Sequence, residues 1–549
     1  MSESYQLKPG WNAIWISHDC SYAPIDTLLA GQPNVVEIWR WNPLGSTVQF
    51  TTSPSAPIVP DLEWVVWHRG ASTNALTSFS GNSAYLVRLA DGASPLTLTL
   101  TGKPLPPGYT WQSNGLNFLG FPIPPAASVA QQNFDRFFSF SDVLKTNPTV
   151  FFYNGGALSS VAPKNPIQVF TPRTAVVNRG QAYWVQGAAY NNYYGSIALD
   201  VSGDGGLDFG SQQSLASVRI KNVVDPAKNQ SVTVTMTRAS SAPAPSGQTQ
   251  SVGDVPLRLR GALDPATGQF AYTPFPNPLT ITLPPGGETQ VFIAVNRAAL
   301  GAVAGADFQS VLQVSDSLGL ARIDLPVHAV ATSLAGVWLG SATITAVDQI
   351  NGPTATPASV GNATYPIRLL VHMDDSGNTT LLQQVYVAHG PVPAGSTAAG
   401  PELALTNTGY AARSDLTGAI RLSSSTFPID LTQPGSGRLG SSGALTFNVL
   451  LDHDASTNPF VHTYHPDHDN LDARFNSTVG QGVESYTVSR AITLNFAPSL
   501  AGVSDPNFGS TILGGSYTET IMGLRAQSIN VSGIFVLRRV SDATSLLTH

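Results

Sequence analysis

Short runs in which apolar and polar residues alternate dominate the chain. Examples are SAYLVRLADGASPLTLTLTG (83–102), QSVTVTMTRA (230–239) and SGIFVLRRV (532–540), and clusters of Gly, Pro, Asn and Asp bound them. Alternation with a period of two predicts β-strands that bury one face. Helical periodicity is scarce, and its best candidates are APIDTLLAG (23–31) and QQNFDRFFSFSDVL (131–144). The pattern predicts an all-β protein of serial β-sandwich or β-barrel domains with a few short helices.

The first 203 residues contain the same series of motifs twice. LKPGWNAIWISHD (7–19) is similar to SNGLNFLGFPIP (113–124), and both hold a Gly, then an aromatic residue or Leu, then an Asn. GNSAYLVRLADGASPLTLTLTG (81–102) is similar to RGQAYWVQGAAYNNYYGSIALDVSG (179–203). Because these matches keep their order at an offset of about 100 residues, they predict a duplicated domain. The predicted domains are residues 1–104 and 105–203.

A new series of motifs begins near residue 204. LDFG (207–210) is followed by a strand that ends in Asn, then by LPPGGETQVFIAVNR (283–297) and DFQSVLQVSDSLGLARIDLPVHAV (307–330). This order resembles immunoglobulin-like modules of the ASPM/SPD-2/Hydin type, with their hydrophobic-x-Phe-Gly opening and their Pro-Gly turn before a Val-x-Phe strand. The resemblance implies a seven-stranded sandwich over residues 204–333, which acts as a spacer or interaction module without catalysis.

Residues 334–549 are predicted to form one larger β-barrel or sandwich domain. Its opening Gly336-Val337-Trp338 resembles the Gly-x-Trp at the start of lipocalin barrels. GGSYTETIMGLRA (514–526) and INVSGIFVLRRV (529–540) are predicted to pair as a final hairpin that closes the barrel or sandwich. The stretch 388–440 is rich in Gly, Ser, Thr and Pro, which predicts long loops.

Composition excludes several classes of function. Charged residues make up 11% of the chain and its net charge is −7, against about 25% charged residues in an average protein. No basic stripe is present, so nucleic-acid binding is not expected. No apolar run is long enough for a membrane span, and the first residues do not have the pattern of a signal peptide. Cys20 is the only cysteine, and we expect it to be a buried small hydrophobe.

One segment concentrates groups that bind metals, LDHDASTNPFVHTYHPDHDNLDARF (451–475). Imidazole and carboxylate side chains together suit a divalent metal, either zinc-like or calcium. Pro459 and Pro466 oppose a continuous helix, so the ligands must converge through a loop. The candidate ligands are His462, His465, His468, Asp467, Asp469 and Asp472. The alternative is a long ordered loop in which these side chains cap turns.

Aromatic residues give a second candidate site. Trp39 and Trp41 are two residues apart, so they share one face of a strand. Exposed aromatic faces of this kind bind pyranose rings in sugar-binding modules. The tract around Tyr190, Tyr193 and Tyr194 is a second candidate surface, for a ligand or for another subunit. The alternative for the tryptophans is the core of a small β-domain.

Three functions follow as hypotheses. The chain lacks the Gly-x-Ser-x-Gly, His-Glu-x-x-His, phosphate-loop and dinucleotide motifs. The first hypothesis is a non-enzymatic, modular protein at an extracellular, cell or particle surface. It would act by self-assembly into a homo-oligomer or filament or by binding, with a glycan as a candidate ligand. The second is a metal-dependent hydrolase that uses His462, His465 and His468. The third is a component or cargo of a phage-tail-like injection particle. The serial arrangement resembles uncharacterised multidomain surface or secreted bacterial β-proteins.

Overall fold

The chain folds almost entirely into β-strands, which confirms the predicted all-β class. The computed structural model describes residues 1–42, 64–108, 110–113, 115–126, 131–145, 148–157, 165–187, 189–203, 205–301, 303–351, 354–359, 365–424, 432–440, 442–451, 487–523 and 528–548. Residues 1–261, 273–295 and 307–330 form unit 1, and residues 262–272, 296–306 and 331–549 form unit 2. Among the described residues, no helix has the length and apolar character that crossing a membrane requires.

Unit 1 begins with a four-stranded antiparallel sheet. The elements of this part are β1 (Ser2–Leu7), β2 (Gly10–Ile16), β3 (His18–Asp19), α1 (Ile25–Leu28), β4 (Val35–Trp41), β5 (Trp64–His68), β6 (Ser83–Leu89), β7 (Leu96–Thr101) and β8 (Lys103–Pro104). The sheet has the order β2-β6-β4-β5, while β1 pairs with β7 in a separate two-stranded sheet and β3 pairs with β8. All seven residues of β2 are buried, as expected for a strand that is covered on both faces.

A second four-stranded sheet repeats this arrangement. Its part of the chain holds β9 (Leu116–Gly120), α2 (Phe134–Ser139), β10 (Thr149–Phe152), β11 (Ile167–Gln168) and β12 (Ala182–Gln186). The order β9-β12-β10-β11 matches the first sheet strand for strand. Each sheet also contains a buried tyrosine whose hydroxyl accepts a hydrogen bond from the main-chain N–H five residues earlier, Tyr85 from Ser80 at 2.7 Å and Tyr183 from Asn178 at 2.8 Å. The domain boundaries predicted from the repeat remain predictions.

One aromatic core includes residues of both sheets. The rings of Trp41 and Trp184 lie 5.5 Å apart, and those of Trp64 and Phe118 lie 6.1 Å apart. Edge-to-face and tilted contacts of this kind stabilise a core beyond the area they bury. A Cβ on Gly120 would lie 2.3 Å from the Trp15 Cβ, so only glycine permits this close approach. The two repeats therefore stabilise each other through a shared core.

Two five-stranded sheets follow. Their strands are β13 (Ile197–Val201), β14 (Leu207–Asp208), β15 (Leu215–Asn222), β16 (Val232–Ser240), β17 (Leu257–Asp264), β18 (Gln269–Pro274), β19 (Leu279–Leu283), β20 (Glu288–Val295), β21 (Asp307–Asp316) and β22 (Arg322–Val330). The orders are β13-β15-β20-β17-β18 and β14-β22-β21-β16-β19. β14 pairs with β22 in parallel. The pairs β13–β15, β15–β20, β17–β20, β16–β19, β16–β21 and β21–β22 are antiparallel. The specific resemblance to an ASPM/SPD-2/Hydin module remains a prediction.

Unit 2 contains a closed eight-stranded barrel. The elements of this part are β23 (Gly336–Asn351), β24 (Thr354–Ser359), β25 (Tyr365–Met373), β26 (Thr379–Leu382), β27 (Gln384–His389), β28 (Glu402–Leu405), α3 (Asn407–Ala411), β29 (Thr417–Ser423), β30 (Thr432–Gly437), β31 (Gly443–Leu451), β32 (Val488–Phe496), β33 (Ile512–Met522), β34 (Ile529–Ser541) and β35 (Leu546–Leu547). The strands run β23-β25-β26-β30-β31-β32-β33-β34, and β34 pairs back onto β23. The predicted final hairpin is therefore present as β33 and β34.

The stretch predicted as long loops is partly structured, so that prediction was wrong. It holds β28, α3, β29 and β30, and the small sheet β29-β27-β28-β35 forms here. Val387 and Ala404 of this sheet pack in a small apolar cluster with Val337 of the barrel strand β23. Packing against a neighbouring apolar surface outweighs the weak strand propensity of a sequence rich in Gly, Ser and Thr.

Among the described residues, apolar side chains make up most of the barrel interior, which also contains a buried ionic cluster. Along β31, residues of the apolar cluster alternate with more exposed ones, as the pleat requires. Arg490 forms an ion pair with Glu519, and the Tyr517 hydroxyl donates to Glu519 Oε2 at 2.7 Å. The side chains of Arg490 and Glu519 are 14% and 1% exposed. Tyr517 also belongs to the apolar cluster inside the barrel, so the ionic cluster is in contact with that core.

Candidate functional site

The predicted metal ligands lie in the segment 452–486, outside the described residues. They are His462, His465, His468, Asp467, Asp469 and Asp472. The metal site in this segment therefore remains a prediction. Within the part of the chain that the structure describes, no group of three or more His, Cys, Asp or Glu side chains is arranged to hold a metal.

The two candidate tryptophans lie in the aromatic core of unit 1. Trp39 is 5% exposed and Trp41 is 8% exposed. Trp39 Nε1 donates to Glu37 Oε1 at 2.8 Å, and the Trp41 ring packs against Trp184. Their burial agrees with the alternative interpretation, in which the tryptophans fill the core of a small β-domain. Neither ring presents an open face to a sugar, and glycan binding by this chain remains a prediction.

The tyrosine tract is split between surface and core. Tyr190 is 69% exposed, whereas Tyr193 and Tyr194 are each 5% exposed. The Tyr193 hydroxyl donates to Phe137 O at 2.6 Å. Burial, together with the nearby Asp316 carboxylate, raises the pKa of Tyr193 well above its ordinary value. The structure therefore does not bring the three tyrosines together on one exposed surface.

A cleft of about 620 Å³ in unit 1 runs along strand β1. Its described lining includes the consecutive residues Met1 to Gln6. At one end of the strand, the main-chain nitrogen of Met1 donates to Gly102 O at 2.7 Å, and Gly102 N donates to Met1 O at 2.9 Å. This reciprocal pair shows which residues of β1 are hydrogen-bonded to the β7 side.

Antiparallel partners alternate between pairs that exchange hydrogen bonds and pairs that do not. The register continues without a shift from Ser2 opposite Thr101 to Leu7 opposite Leu96. Every second residue counted from Met1 therefore bonds toward β7, and the N–H and C=O groups of Ser2, Ser4 and Gln6 point away from it. These six groups have no hydrogen-bond partner among the described residues. One side of the cleft is thus an unpaired strand edge.

Side-chain amides also line the cleft, and we call Gln131, Asn154, Asn178 and Gln181 the amide wall. Gln131 Nε2 donates to Asn178 Oδ1 at 3.1 Å, and Asn178 Nδ2 donates to Gln181 Oε1 at 3.0 Å. Lys8 Nζ donates to Asn154 Oδ1 at 2.5 Å. Each amide has two N–H donors and a carbonyl oxygen with two lone pairs. The amide wall therefore has hydrogen-bonding capacity beyond these contacts.

A buried ion network holds β1 in place beside the cleft. Arg179 Nε donates to Glu3 Oε1 at 2.6 Å, and Arg179 Nη2 donates to Asp324 Oδ2 at 2.8 Å. Burial alone would lower the pKa of Arg179, but the two carboxylates together raise it above its ordinary value. Asp324 Oδ1 also accepts a hydrogen bond from Arg322 Nε at 3.3 Å. Glu3 is thus engaged as an ion-pair partner, which fits positioning of the strand better than proton transfer.

His18 and Cys20 are buried next to this network. His18 Nε2 lies 3.1 Å from Leu100 O, while His18 Nδ1 lies 3.8 Å from Glu3 Oε2 and has no hydrogen-bond partner among the described residues. Burial lowers the pKa of His18 despite the nearby Glu3 carboxylate. Burial also raises the pKa of the Cys20 thiol to about 12. Since the thiolate is the nucleophile, this burial does not favour a nucleophilic role for Cys20.

A second polar cluster in unit 1 links three strands through His328. Its Nδ1 lies 2.7 Å from Asp208 Oδ1, and its Nε2 lies 2.7 Å from Asp307 Oδ1. Burial opposes ionisation of Asp208, but the hydrogen bonds with His328 and with the main chain of Gly210, together with the nearby Lys103, lower the pKa of Asp208. The carboxylates contact opposite ring nitrogens, so this cluster links strands.

The amino-acid sequence contains no local signal of the cleft. The strand SESYQL (2–7) alternates polar and buried residues like many others. Nothing local shows that one edge of it lies beside Asn178 and Arg179, which are far away in sequence. The free edge depends on the sheet topology, and local sequence patterns do not determine which edge of a strand stays unpaired.

The chain matches no protein-family model, and no curated protein matches it. A protein of unknown function from Bacteroides ovatus shares 8% identity, with 63% of this chain and 96% of that chain covered and a TM-score of 0.16. A DUF4466 family protein from Parabacteroides merdae shares 8% identity, with 63% of this chain and 99% of that chain covered and a TM-score of 0.15. At these values the similarity supports no conclusion about fold or function.

Proposed function

We propose that this chain is a non-enzymatic, modular binding protein whose ligand site is the cleft along β1. It acts in adhesion or assembly at an extracellular, cell or particle surface. The low charge of the chain and its many strand edges support association as its mode of action. The observation that carries the proposal is the unpaired edge of β1 facing the amide wall in one cleft of about 620 Å³.

The chemistry of the cleft favours binding over catalysis. The carboxylate of Glu3 is engaged by Arg179, and the nearby Cys20 thiol has a pKa of about 12. A hydrolytic site needs a nucleophile or a metal-bound water together with an acid–base group. The lining combines main-chain amides and side-chain amides with Ser, Tyr, Lys and Arg side chains and the engaged Glu3. Among these, the amides bind and orient a polar ligand without changing it.

The test compares wild-type protein with a double variant of the amide wall, Gln131→Ala with Asn154→Ala. Both side chains are exposed, so the fold should persist. Immobilised protein is screened against a glycan array and a peptide library, and self-association is followed by sedimentation velocity. We expect binding to one ligand class that weakens by about tenfold in the double variant, as the loss of one or two hydrogen bonds predicts.

Asn34→Ala is the matched control, because it removes an exposed amide of unit 1 that does not line the cleft. This control should bind like the wild type. A ligand that binds the double variant as tightly as the wild type would place the site elsewhere. Failure to bind any ligand, with a single monomeric species at all concentrations, would refute the proposed function. Chemical conversion of a bound ligand would refute its non-enzymatic character.

A further inference from the structure

We infer that the cleft accepts an extended peptide, which adds as a further strand to the free edge of β1. This inference rests on the proposed function, in which the cleft is a binding site. Ser2, Ser4 and Gln6 present N–H and C=O groups toward the cleft at every second residue of β1. In a strand that spacing is about 6.6–6.8 Å. An extended polypeptide repeats its own donors and acceptors at the same interval, whereas a glycan has no such backbone repeat.

The amide wall provides suitable partners for the outer side of such a peptide. A strand that pairs with β1 leaves half of its own N–H and C=O groups pointing away from β1. Asn and Gln side chains contain the same amide group as the main chain, so they can donate to a carbonyl and accept from an N–H. Gln131 and Asn154 are exposed members of the wall. Strand addition of this type obtains affinity mainly from main-chain hydrogen bonds.

Charge in the cleft indicates one feature of the peptide sequence. Arg179 and Arg322 both bond to Asp324. Lys8 is exposed, and among the described residues it makes no ion pair, its Nζ donating to the neutral Asn154 side chain. A carboxylate on the peptide near Lys8 would therefore gain a charge-assisted hydrogen bond without competing with an existing ion pair. We expect the preferred peptides to contain Asp or Glu at the position next to Lys8.

The test uses a display library of random twelve-residue peptides, selected on the immobilised full chain. Enriched peptides are then measured against Ser4→Pro and its matched control, Ser4→Ala. Proline removes the Ser4 N–H, which points to the cleft, and leaves the bonds between β1 and β7 in place. Proline is also tolerated on the free side of edge strands. Both variants lose the contact between the Ser4 and Thr99 hydroxyls at 2.8 Å. A difference in binding between them therefore reports the effect of proline on the main chain.

We expect Ser4→Pro to weaken peptide binding by about tenfold, the effect of one main-chain hydrogen bond, while Ser4→Ala stays within about twofold of wild type. Lys8→Ala should weaken acidic peptides and leave neutral peptides unchanged. If Ser4→Pro shows a lowered melting temperature, Gln6→Pro and Gln6→Ala replace the pair, because the Gln6 N–H also points to the cleft. Peptides that bind the proline variants as tightly as the alanine variants would overturn the inference.

The glycan array separates this inference from the proposed function. Glycan binding that weakens in the amide-wall double variant but not in Ser4→Pro would sustain the proposed function and overturn the peptide inference. Enrichment of peptides that need neither β1 nor the amide wall would overturn both. Binding of peptides that is sensitive to Ser4→Pro and to the amide-wall variant would support both.

Discussion

Asn12 and Asn117 make the same set of hydrogen bonds in the two sheets of unit 1. Asn12 Nδ2 donates to Lys8 O at 2.8 Å, Gly10 O at 3.1 Å and Val87 O at 3.3 Å, while Lys8 N donates to Asn12 Oδ1 at 2.8 Å. In the second sheet, Asn117 Nδ2 donates to Gln112 O at 3.0 Å, Gly115 O at 3.3 Å and Val185 O at 3.4 Å. Gln112 N donates to Asn117 Oδ1 at 2.9 Å. Each asparagine thus ties the turn before its strand to the neighbouring strand.

Replacing either asparagine by alanine should destabilise unit 1. Asn12 is 7% exposed and Asn117 is 1% exposed, and alanine removes their hydrogen bonds to main-chain groups that are partly or fully buried. Such groups cost about 1–3 kcal/mol each when left unsatisfied. We expect Asn117→Ala to lower the free energy of unfolding by about 2–3 kcal/mol and Asn12→Ala by a similar amount, measured by denaturant unfolding.

The exposed Asn34 provides the control for this comparison. Asn34→Ala should change stability by less than about 0.5 kcal/mol. If Asn12→Ala and Asn117→Ala had effects as small as Asn34→Ala, the shared hydrogen bonds would contribute little to stability. If only one of the two mattered, the sheets would not be energetically equivalent despite their identical strand order.

The equivalence of Asn12 and Asn117 could be predicted from the sequence, because a short local motif carries it. Gly10 to Asn12 and Gly115 to Asn117 fall in the motif that identified the repeat, and alternation predicted the strands around them. Burial of the aromatic residues was harder to predict. Trp41 faces Trp184 across the core, and a tryptophan on a strand shows the same pattern whether its face meets solvent or another sheet. Only the tertiary packing distinguishes these two outcomes.

The ionic cluster inside the barrel should show strong coupling between its members. Glu519→Leu leaves the buried Arg490 without its carboxylate, and breaking one side of a buried pair costs about 3–5 kcal/mol. A triple variant that adds Arg490→Met and Tyr517→Phe removes the whole cluster and leaves an apolar interior. We expect the triple variant to be more stable than Glu519→Leu alone, as measured by thermal unfolding.

This comparison is a mutant cycle in which non-additivity is the expected signal. Arg490→Met alone should also destabilise, because Glu519 is 1% exposed and would then be a buried charge without its ion-pair partner. Additive effects of the three substitutions would mean that the side chains contribute independently. That result would contradict the role of the cluster as one unit in the barrel interior.

Acid should destabilise unit 1 through His18. Burial lowers the pKa of His18 in the folded chain, while the unfolded value is about 6.5. Below that pH the unfolded chain binds more protons at this site than the folded chain, so the free energy of unfolding falls as the pH drops toward the folded pKa. Above about pH 7 the site contributes no pH dependence.

The measurement is the melting temperature as a function of pH for wild type and His18→Gln. Glutamine can still donate to Leu100 O, which lies 3.1 Å from His18 Nε2 in the folded chain, but it does not titrate. We expect a shallower decline of the melting temperature between about pH 6.5 and pH 5 in the variant. The difference between the two proteins above about pH 7 gives the pH-independent cost of the substitution. Parallel curves throughout would show that His18 is not a source of the acid sensitivity.

The metal site in the His- and Asp-rich segment is predicted from the sequence alone, because the segment lies outside the described residues. If it holds a metal, elemental analysis of protein purified without a chelating affinity column should find a near-stoichiometric divalent ion. A zinc-like ion needs imidazole ligands and should be lost when His462, His465 and His468 are replaced by Ala. Calcium takes oxygen ligands, so it should survive that triple variant and be lost when Asp467, Asp469 and Asp472 are replaced instead.

The pH dependence of metal binding gives an independent check on the same two alternatives. Histidine ligands must be neutral to bind, so the affinity for a zinc-like ion should fall as the pH drops below about 6.5, whereas the affinity of carboxylates for calcium should persist to lower pH. Protein that contains no metal, and whose melting temperature does not change with a chelator, would contradict the predicted site. That outcome would leave the segment as a loop and would remove the basis for the metal-dependent hydrolase hypothesis, since that hypothesis takes its ligands from His462, His465 and His468.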